Sequence, residues 1–303
     1  MPILSICIPC YGRINYVRNT LNSIYVDNSE VPLEDFEVII SDNNPSKSIQ
    51  KLMEEYKQYP NIKYYHTTCE GFMNSYHVLK YANGTFLKLH NSQSKFKKGS
   101  ISLIIREIEE KQSTKSLIFY TNGLISQLPN KSITYDSFED YMYNLSYWSS
   151  WSNGFGIWKE NLEKIGNIEL NKLFPHTSLF LSQSQSQSFT INNYVLFDVQ
   201  RIPKRGGHNK FQAFTIEYPS LIDRCQKENK ISVECKKHIL NDILTDFLPS
   251  LLFNKYIARI ETFDSTGYKE NIKVYFPSNA YLKSWLYVPT IPFKLLLRKL
   301  RNI

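Results

Sequence analysis

The stretch Thr85-Phe86-Leu87-Lys88-Leu89 reads as a buried strand, and it delivers five uncharged polar residues, His90-Asn91-Ser92-Gln93-Ser94, to one point. Imidazole, amide and hydroxyl groups gathered at the end of an apolar strand suit one wall of a site for a polar ligand. A second apolar run, Phe36-Glu37-Val38-Ile39-Ile40, ends at Ser41-Asp42-Asn43-Asn44-Pro45. There the Asp42 carboxylate can accept hydrogen bonds from a ligand or close a turn before the next helix. A third run, Ile3 to Ile8, passes into Pro9-Cys10-Tyr11-Gly12-Arg13. Cys7-Ile8-Pro9-Cys10 has the spacing of a redox or zinc pair, but it lies in an apolar strand with no second pair at metal spacing, so we read it as structural.

The elements that must position these residues alternate along the first 120 positions. Ile14, Val17, Leu21 and Ile24 recur at helical spacing. Further helices are expected near 49–56, 72–82 and 101–110, with strands near 62–65 and 117–120. Such alternation predicts an α/β fold with a mostly parallel sheet covered by helices on both faces. Ligands in such sheets bind beyond the carboxyl ends of the strands, which are the three polar clusters just described. Residues 121–215 are less regular and hold the aromatic segment Tyr147-Trp148-Ser149-Ser150-Trp151-Ser152-Asn153-Gly154-Phe155-Gly156-Ile157-Trp158. The Ser/Gln alternation after Leu181 is expected to be an exposed strand or loop. Residues 216–260 return to helical spacing through Ile231, Cys235, Ile239, Ile243 and Phe247.

Composition narrows the class. The chain is 42% apolar and long enough for one large or two small cores, and no run approaches the roughly 18 apolar residues of a membrane span. The N-terminal residues lack the basic start and apolar core of a signal peptide, so a cytoplasmic protein is expected. Five irregularly spaced cysteines give no disulfide framework. The net charge of +8 favours an anionic partner. With strand-end acids and no basic face outside two short segments, nucleic acid is not the expected one.

The order of these motifs resembles inverting family 2 glycosyltransferases with the GT-A fold, a Rossmann-like nucleotide-diphospho-sugar transferase fold. In that family a first strand ends in Pro-x-Tyr-x-Arg, as in "SICIPCYGRINYVRNTLNSI", and a second ends in an Asp and a small-residue turn, as in "FEVIISDNNPS". "GFMNSYHVLKYANGTFLKLHN" is similar to its Gly-x-x-x-Asn helix leading through Ala-x-Gly into the metal-motif strand, and "WSNGFGIWKENLEKIG" with "LFPHTSLFL" resembles its acceptor side. The nearest resemblance is to bacterial transferases of O-antigen, capsule and other surface-polysaccharide (including lipopolysaccharide) biosynthesis, among them deoxysugar transferases such as the abequosyltransferases. The resemblance implies a donor part at 1–120 and an acceptor part at 121–215, followed by a helical extension at 216–280.

By this resemblance, Pro9, Tyr11, Arg13, Asp42 and Asn74, with His90, Asn91 and Ser92, bind the donor nucleotide-sugar, and Trp151, Asn153 and Phe155 contact the saccharide acceptor. The family's catalytic base sits in the loop after the acceptor segment, where this chain offers His176 and no acid. A neutral imidazole can take the proton of an attacking hydroxyl. One departure concerns the metal. The family strand ends in Asp-x-Asp, whose carboxylates hold Mg²⁺ or Mn²⁺, but this chain has His90-Asn91-Ser92 and no acid before Glu107. Three readings follow: cationic side chains replace the ion, His90 and the diphosphate hold a metal between them, or the chain is a catalytically impaired binding partner. For the first, Arg201-Ile202-Pro203-Lys204-Arg205-Gly206-Gly207-His208 supplies Lys204, Arg205 and His208 beside two glycines that let backbone N–H groups approach a diphosphate.

The tail, 281–303, contains five Lys and Arg residues and no acid. Pro292 suits a helix start, and Phe293, Leu296, Leu297 and Leu300 then share one face. A basic amphipathic helix beside Trp285 and Tyr287 predicts peripheral attachment to the inner face of the cytoplasmic membrane, where a lipid-diphosphate-linked acceptor would be carried.

Overall fold

The computed structural model of the chain describes residues 1–200, 202 and 206–301, with side chains as far as Leu297. It forms two compact units, one of residues 1–141 and 149–201 and one of residues 142–148 and 202–303.

The first unit is built on a five-stranded sheet of order β3-β2-β1-β4-β8. Its strands are β1 (Leu4–Cys10), β2 (Phe36–Asp42), β3 (Ile62–His66), β4 (Phe86–Leu89) and β8 (Gly156–Trp158). The first four run parallel, and β8 runs antiparallel to β4, with Leu87 opposite Ile157. A bridge between Phe119 and Phe155 carries the antiparallel sense on to β6 (Leu117–Tyr120), so β6 points the same way as β4. β6 pairs in parallel with β9 (Phe189–Asn192), and β7 (Ser132–Tyr135) completes that second sheet. β5 (Ser94–Phe96) and β10 (Phe197–Val199) make a short antiparallel ribbon.

The helices of this unit are α1 (Ile14–Tyr25), α2 (Ser48–Leu52), α3 (Asn74–Lys80), α4 (Ser100–Glu110), the start of α5 (Phe138–Leu145), α6 (Lys159–Lys164) and α7 (Pro175–Ser182). Each strand and helix expected in the first 120 residues is present. The predicted helices at 49–56 and 72–82 each contain a tighter 3₁₀ turn, at Met53–Tyr56 and Gly71–Met73. The core explains the apolar runs: β1 and β2 are buried almost throughout because helices cover both faces, and α1 turns Val17, Leu21 and Ile24 onto them. Cys7 and Cys10 sit in this core, and burial pushes both thiols well above the ordinary range, which fits the structural reading of the pair.

A buried carboxylate ties the amino ends of the strands. Glu37 on β2 accepts hydrogen bonds from Ser5 Oγ (2.7 Å), Lys63 Nζ (3.0 Å), Gly84 N (3.1 Å) and Asn83 N. Burial alone would raise its pKa. The backbone of Asn83, then Ser5 and Lys63, outweigh that and hold it below the usual carboxylate range. The Asn83-Gly84 turn therefore lies hard against β1.

The second unit is helical: α8 (Lys210–Gln212), α9 (Tyr218–Lys227), α10 (Val233–Asp242), α11 (Leu248–Leu252), α12 (Tyr268–Asn271), α13 (Ala280–Leu286) and α14 (Ile291–Arg301). Cys235, Ile239 and Ile243 are fully buried, as their spacing predicts. Wide π-helical turns at Ala213–Glu217 and Ile243–Phe247 precede Pro219 and Pro249. A proline has no N–H to return to the preceding turn, and a locally widened helix accommodates that loss.

Gly84 gives a direct test of the packing at the amino edge. A Cβ there would lie 2.5 Å from Ser5 Oγ and 2.8 Å from Ser5 N. Gly84→Ala is expected to cost about 2 kcal/mol or more by overpacking against backbone, read as a lower urea midpoint with an unchanged slope.

Candidate functional site

The carboxyl ends of β1, β2 and β4 meet at one edge of the first unit, and amide side chains organise it. Asn74, at the start of α3, is buried. Its Oδ1 accepts from Ser41 Oγ (2.6 Å), and its Nδ2 donates to Ser41 O (2.8 Å), Asn43 Oδ1 (3.2 Å) and Cys10 O (3.3 Å). One side chain thus fastens the exits of β1 and β2 to α3. Asp42 is likewise buried. Its Oδ1 accepts from Asn44 N (3.0 Å), and Oδ2 accepts from Tyr64 Oη (3.3 Å). That is the turn-closing geometry open to this residue from sequence. Asn43 Nδ2 donates to Cys69 O and Gly71 O, both at 3.1 Å. Above these, Tyr11 is 64% exposed, and Arg13 caps α1 in a left-handed conformation (φ 60°) with its side chain outward. Pro9 is partly buried and paired with Ser41.

The polar loop after β4 is joined to the segment before β8. Asn153 Oδ1 accepts from Asn91 N (2.6 Å), and Ser152 Oγ donates to Asn91 Oδ1 (3.1 Å). Asn91 and Ser92 remain partly open, whereas His90 is fully buried. The His90 ring stacks on Phe96 (4.1 Å between centroids), with Nε2 2.9 Å from Ser94 O and Nδ1 unpartnered. Burial, then the nearby Lys88, drive its pKa well below the ordinary value, so it stays neutral. Asn153 and Phe155 are fully buried too, so in this conformation neither offers a face to a saccharide. Trp151 is half-buried and packs 5.8 Å from Phe197. The glycines of Gly154-Phe155-Gly156 answer to packing: a Cβ on Gly154 would meet Phe119 at 2.3 Å, and one on Gly156 would meet Phe86 at 2.4 Å.

His176 lies in the first turn of α7 and is 5% exposed. Its Nε2 is 2.9 Å from the carbonyl of Ser150, which assigns the proton to Nε2 and leaves Nδ1 as a bare acceptor. Nδ1 has no partner. Burial lowers its pKa to about 4 against the opposing pull of Ser150. Ser150 is continuous with Trp151-Ser152-Asn153, so the imidazole is anchored to the loop that meets Asn91. His208 lies in the second unit, and Lys204 and Arg205 lie outside the described residues.

The sequence reading missed Lys88. It is fully buried on β4, and its Nζ donates to Asn153 O (2.9 Å) and Leu89 O (3.1 Å), with the rings of Phe197 (4.9 Å) and Tyr120 (5.1 Å) beside it. Burial brings its pKa down to about 7. A lone lysine inside Phe-Leu-Lys-Leu was the available signal. A separate open cleft of about 610 Å³ lies at the amino ends of β6 and β9, lined by Lys115, Lys164 and Gln183 among others. The Ser/Gln tract borders it, with Gln185 and Gln187 exposed but Gln183 and Ser184 buried.

The residues at the polar loop do not fit a hard divalent cation. They offer one buried imidazole nitrogen, amides and hydroxyls but no carboxylate, and no cluster of three His, Cys, Asp or Glu is placed to hold a metal among the described residues.

The match to the model of glycosyl transferase family 2 covers residues 5–165, more than half of the chain. The chain belongs to that family. Its fold is GT-A, as in Staphylococcus aureus TarS residues 1–349 (16% identity, TM-score 0.56, covering 95% of this chain and 79% of that one). The same likeness holds for the complex of that protein with UDP-GlcNAc (15%, 0.56, 96% and 90%). It holds also for the mannosyltransferase PcManGT of Pyrobaculum calidifontis in complex with GDP-Man and Mn²⁺ (12%, 0.56, 95% and 87%). An uncharacterized glycosyltransferase of Rickettsia conorii is 28% identical over 108 residues, which span 35% of this chain and only 17% of that relative.

The buried imidazole of His176 gives a pH prediction. Its folded pKa of about 4 lies below the unfolded value near 6.5, so the unfolded chain takes up a proton that the folded one refuses. The stability that follows is present above pH 6.5 and is lost as pH falls towards 4, by up to about 3 kcal/mol. His176→Gln, which keeps a donor to Ser150, should flatten the stability profile in that window relative to the parent, as measured by urea unfolding.

Proposed function

We propose that this family 2 protein is an inverting glycosyltransferase that moves a hexosyl or deoxyhexosyl group from a nucleotide-sugar donor to a lipid-diphosphate-linked saccharide in bacterial surface-polysaccharide (O-antigen or capsule) biosynthesis. The observation that carries this reading is the convergence of three strand-end loops, Pro9–Arg13, Asp42–Asn44 and His90–Ser92, at the carboxyl edge of a GT-A sheet. Solved proteins of this fold in complex with UDP-GlcNAc and with GDP-Man support a nucleotide-sugar as the donor.

In this reading the exposed Tyr11 ring and the Arg13 side chain receive the nucleobase. Asp42 and Asn74 shape the floor beneath it, because their polar atoms are engaged in holding the strand exits. Asn91 and Ser92 face the donor sugar and diphosphate. Lys204, Arg205 and His208 are the proposed source of positive charge for the departing nucleotide, so transfer proceeds without a divalent cation. His176 is assigned the proton of the attacking acceptor hydroxyl on Nδ1, the nitrogen its bond to Ser150 leaves free and which acceptor binding must uncover. Trp151 supplies the acceptor side with an aromatic face.

Attachment to the inner membrane face is proposed for the tail. α14 docks through buried Ile291 and through Lys294, whose Nζ donates to Asp246 Oδ1 (2.8 Å). Phe293, Leu296 and Leu297 are left outward, at 71%, 56% and 57% exposure, with Leu286 beyond them at 76%. Such an apolar surface, in a segment whose sequence is rich in Lys and Arg, suits an anionic bilayer interface.

A second reading, a GT-A-fold binding partner without catalysis, is favoured by the carboxylate-free loop. Turnover separates the two. Incubation with UDP-, GDP-, CDP- and dTDP-sugars together with a bacterial lipid-linked saccharide extract as acceptor, in EDTA, is expected to glycosylate the acceptor and release one nucleoside diphosphate, and no release with any of them, with or without Mn²⁺, would favour the partner role. His176→Gln should cut transfer by about 10² or more while donor binding persists. Removal of residues 285–303 should abolish co-sedimentation with anionic liposomes, and unchanged sedimentation would refute the attachment.

A further inference from the structure

Lys88 places a titratable amine where a buried strand ordinarily carries an apolar side chain. It occupies the third position of a four-residue strand buried on every side, where an apolar side chain of the same length would pack without desolvating an ammonium. Its contacts are two backbone carbonyls and two aromatic faces, and among the described residues no carboxylate pairs with it. A buried cation without a counter-ion is costly, and what it holds is telling. Nζ reaches one residue towards the carboxyl edge, to Leu89 O at the strand exit, and across to Asn153 O in the loop before β8. Asn153 in turn holds Asn91 N through Oδ1, and Ser152 holds the Asn91 side chain. The ammonium therefore sits directly beneath the loop that carries no acid.

We propose that Lys88 is a positioning residue of the transfer site: its buried ammonium locks the Leu89–Asn91 and Ser152–Asn153 segments together and supplies, from beneath the loop, positive potential for a nucleoside diphosphate. The inference rests on the donor-site reading given above. It gives the strand-end loop a cation of its own, whose charge grows as pH falls through about 7 and which a bound diphosphate would itself favour. Because the charge lies behind backbone carbonyls and not at the surface, it acts on the phosphates through a medium of low dielectric constant, where a charge is felt further than in water. The nucleoside half of the donor, which carries no charge, should not sense it.

The test compares the whole protein with Lys88→Met and Lys88→Gln, using UDP, GDP, CDP and dTDP and the four corresponding nucleosides as probes in calorimetry. The parent is expected to prefer one diphosphate over its nucleoside. In both variants that preference should fall about tenfold, with nucleoside affinity unchanged within twofold. Thermal midpoints at or above the parent's would show that packing is intact. Should the methionine variant fail to fold, the glutamine variant, which keeps donors for the two carbonyls, carries the comparison alone. Preference retained in folded variants would overturn the role of Lys88 and leave the donor-site reading standing. A parent that binds none of the four diphosphates would overturn both.

Discussion

Strand ends leave backbone groups without ladder partners, and at the carboxyl edge of this sheet side-chain amides take them up. Asn74 clasps the exits of β1 and β2, Asn43 reaches the chain before α3, and Asn153 receives the Asn91 N–H after β4. A buried carbonyl or N–H left alone costs one to three kcal/mol or so, so these bonds decide where the loops lie. Amides suit the task because each offers donor and acceptor together without bringing a charge out of water. The edge is thus a nearly neutral platform whose few charges, Lys88 and Arg13 among them, stand out against it.

This organisation explains which parts of the sequence could be read in advance. Parallel strands buried on both faces must be continuous apolar runs, and α1 must repeat its apolar residues at helical spacing, so the α/β architecture was visible in Ile3–Ile8, Phe36–Ile40 and Val17, Leu21 and Ile24. Four motifs in order made the GT-A family legible as well. Side-chain roles were harder to read. Asn74 and Asn153 sit in the right loops, but a sequence does not say whether an amide faces a ligand or a carbonyl. Phe155 looked available because aromatic residues crowd that segment, yet close packing of Gly154 and Gly156 against Phe119 and Phe86 draws it inward. Lys88 was hidden by the ordinary expectation that lysine lies on a surface.

Electrostatics at the site follows from burial more than from pairing. His90 and His176 are kept neutral by desolvation, each with one ring nitrogen on a backbone carbonyl and the other without a partner. Their two fixed tautomers contrast with Glu37 at the opposite edge, where four donors more than offset burial and keep the carboxylate charged. The sheet is charged and tightly tied at its amino edge and amide-lined at its carboxyl edge, which leaves the second edge free to answer to a charged ligand.

The antiparallel pairing of β8 with β4 has a further implication. β4 ends where β8 begins, so the residues after Leu89 and those before Gly156 meet at the same edge whatever lies between them. The intervening chain, from β5 through α5, leaves that edge and comes back to it. Lengthening such an excursion costs little in closure entropy, which grows only with the logarithm of its length. The loops of this stretch, outside the buried α4 and β6, can therefore be lengthened or exchanged while Asn91 and Asn153 keep their register.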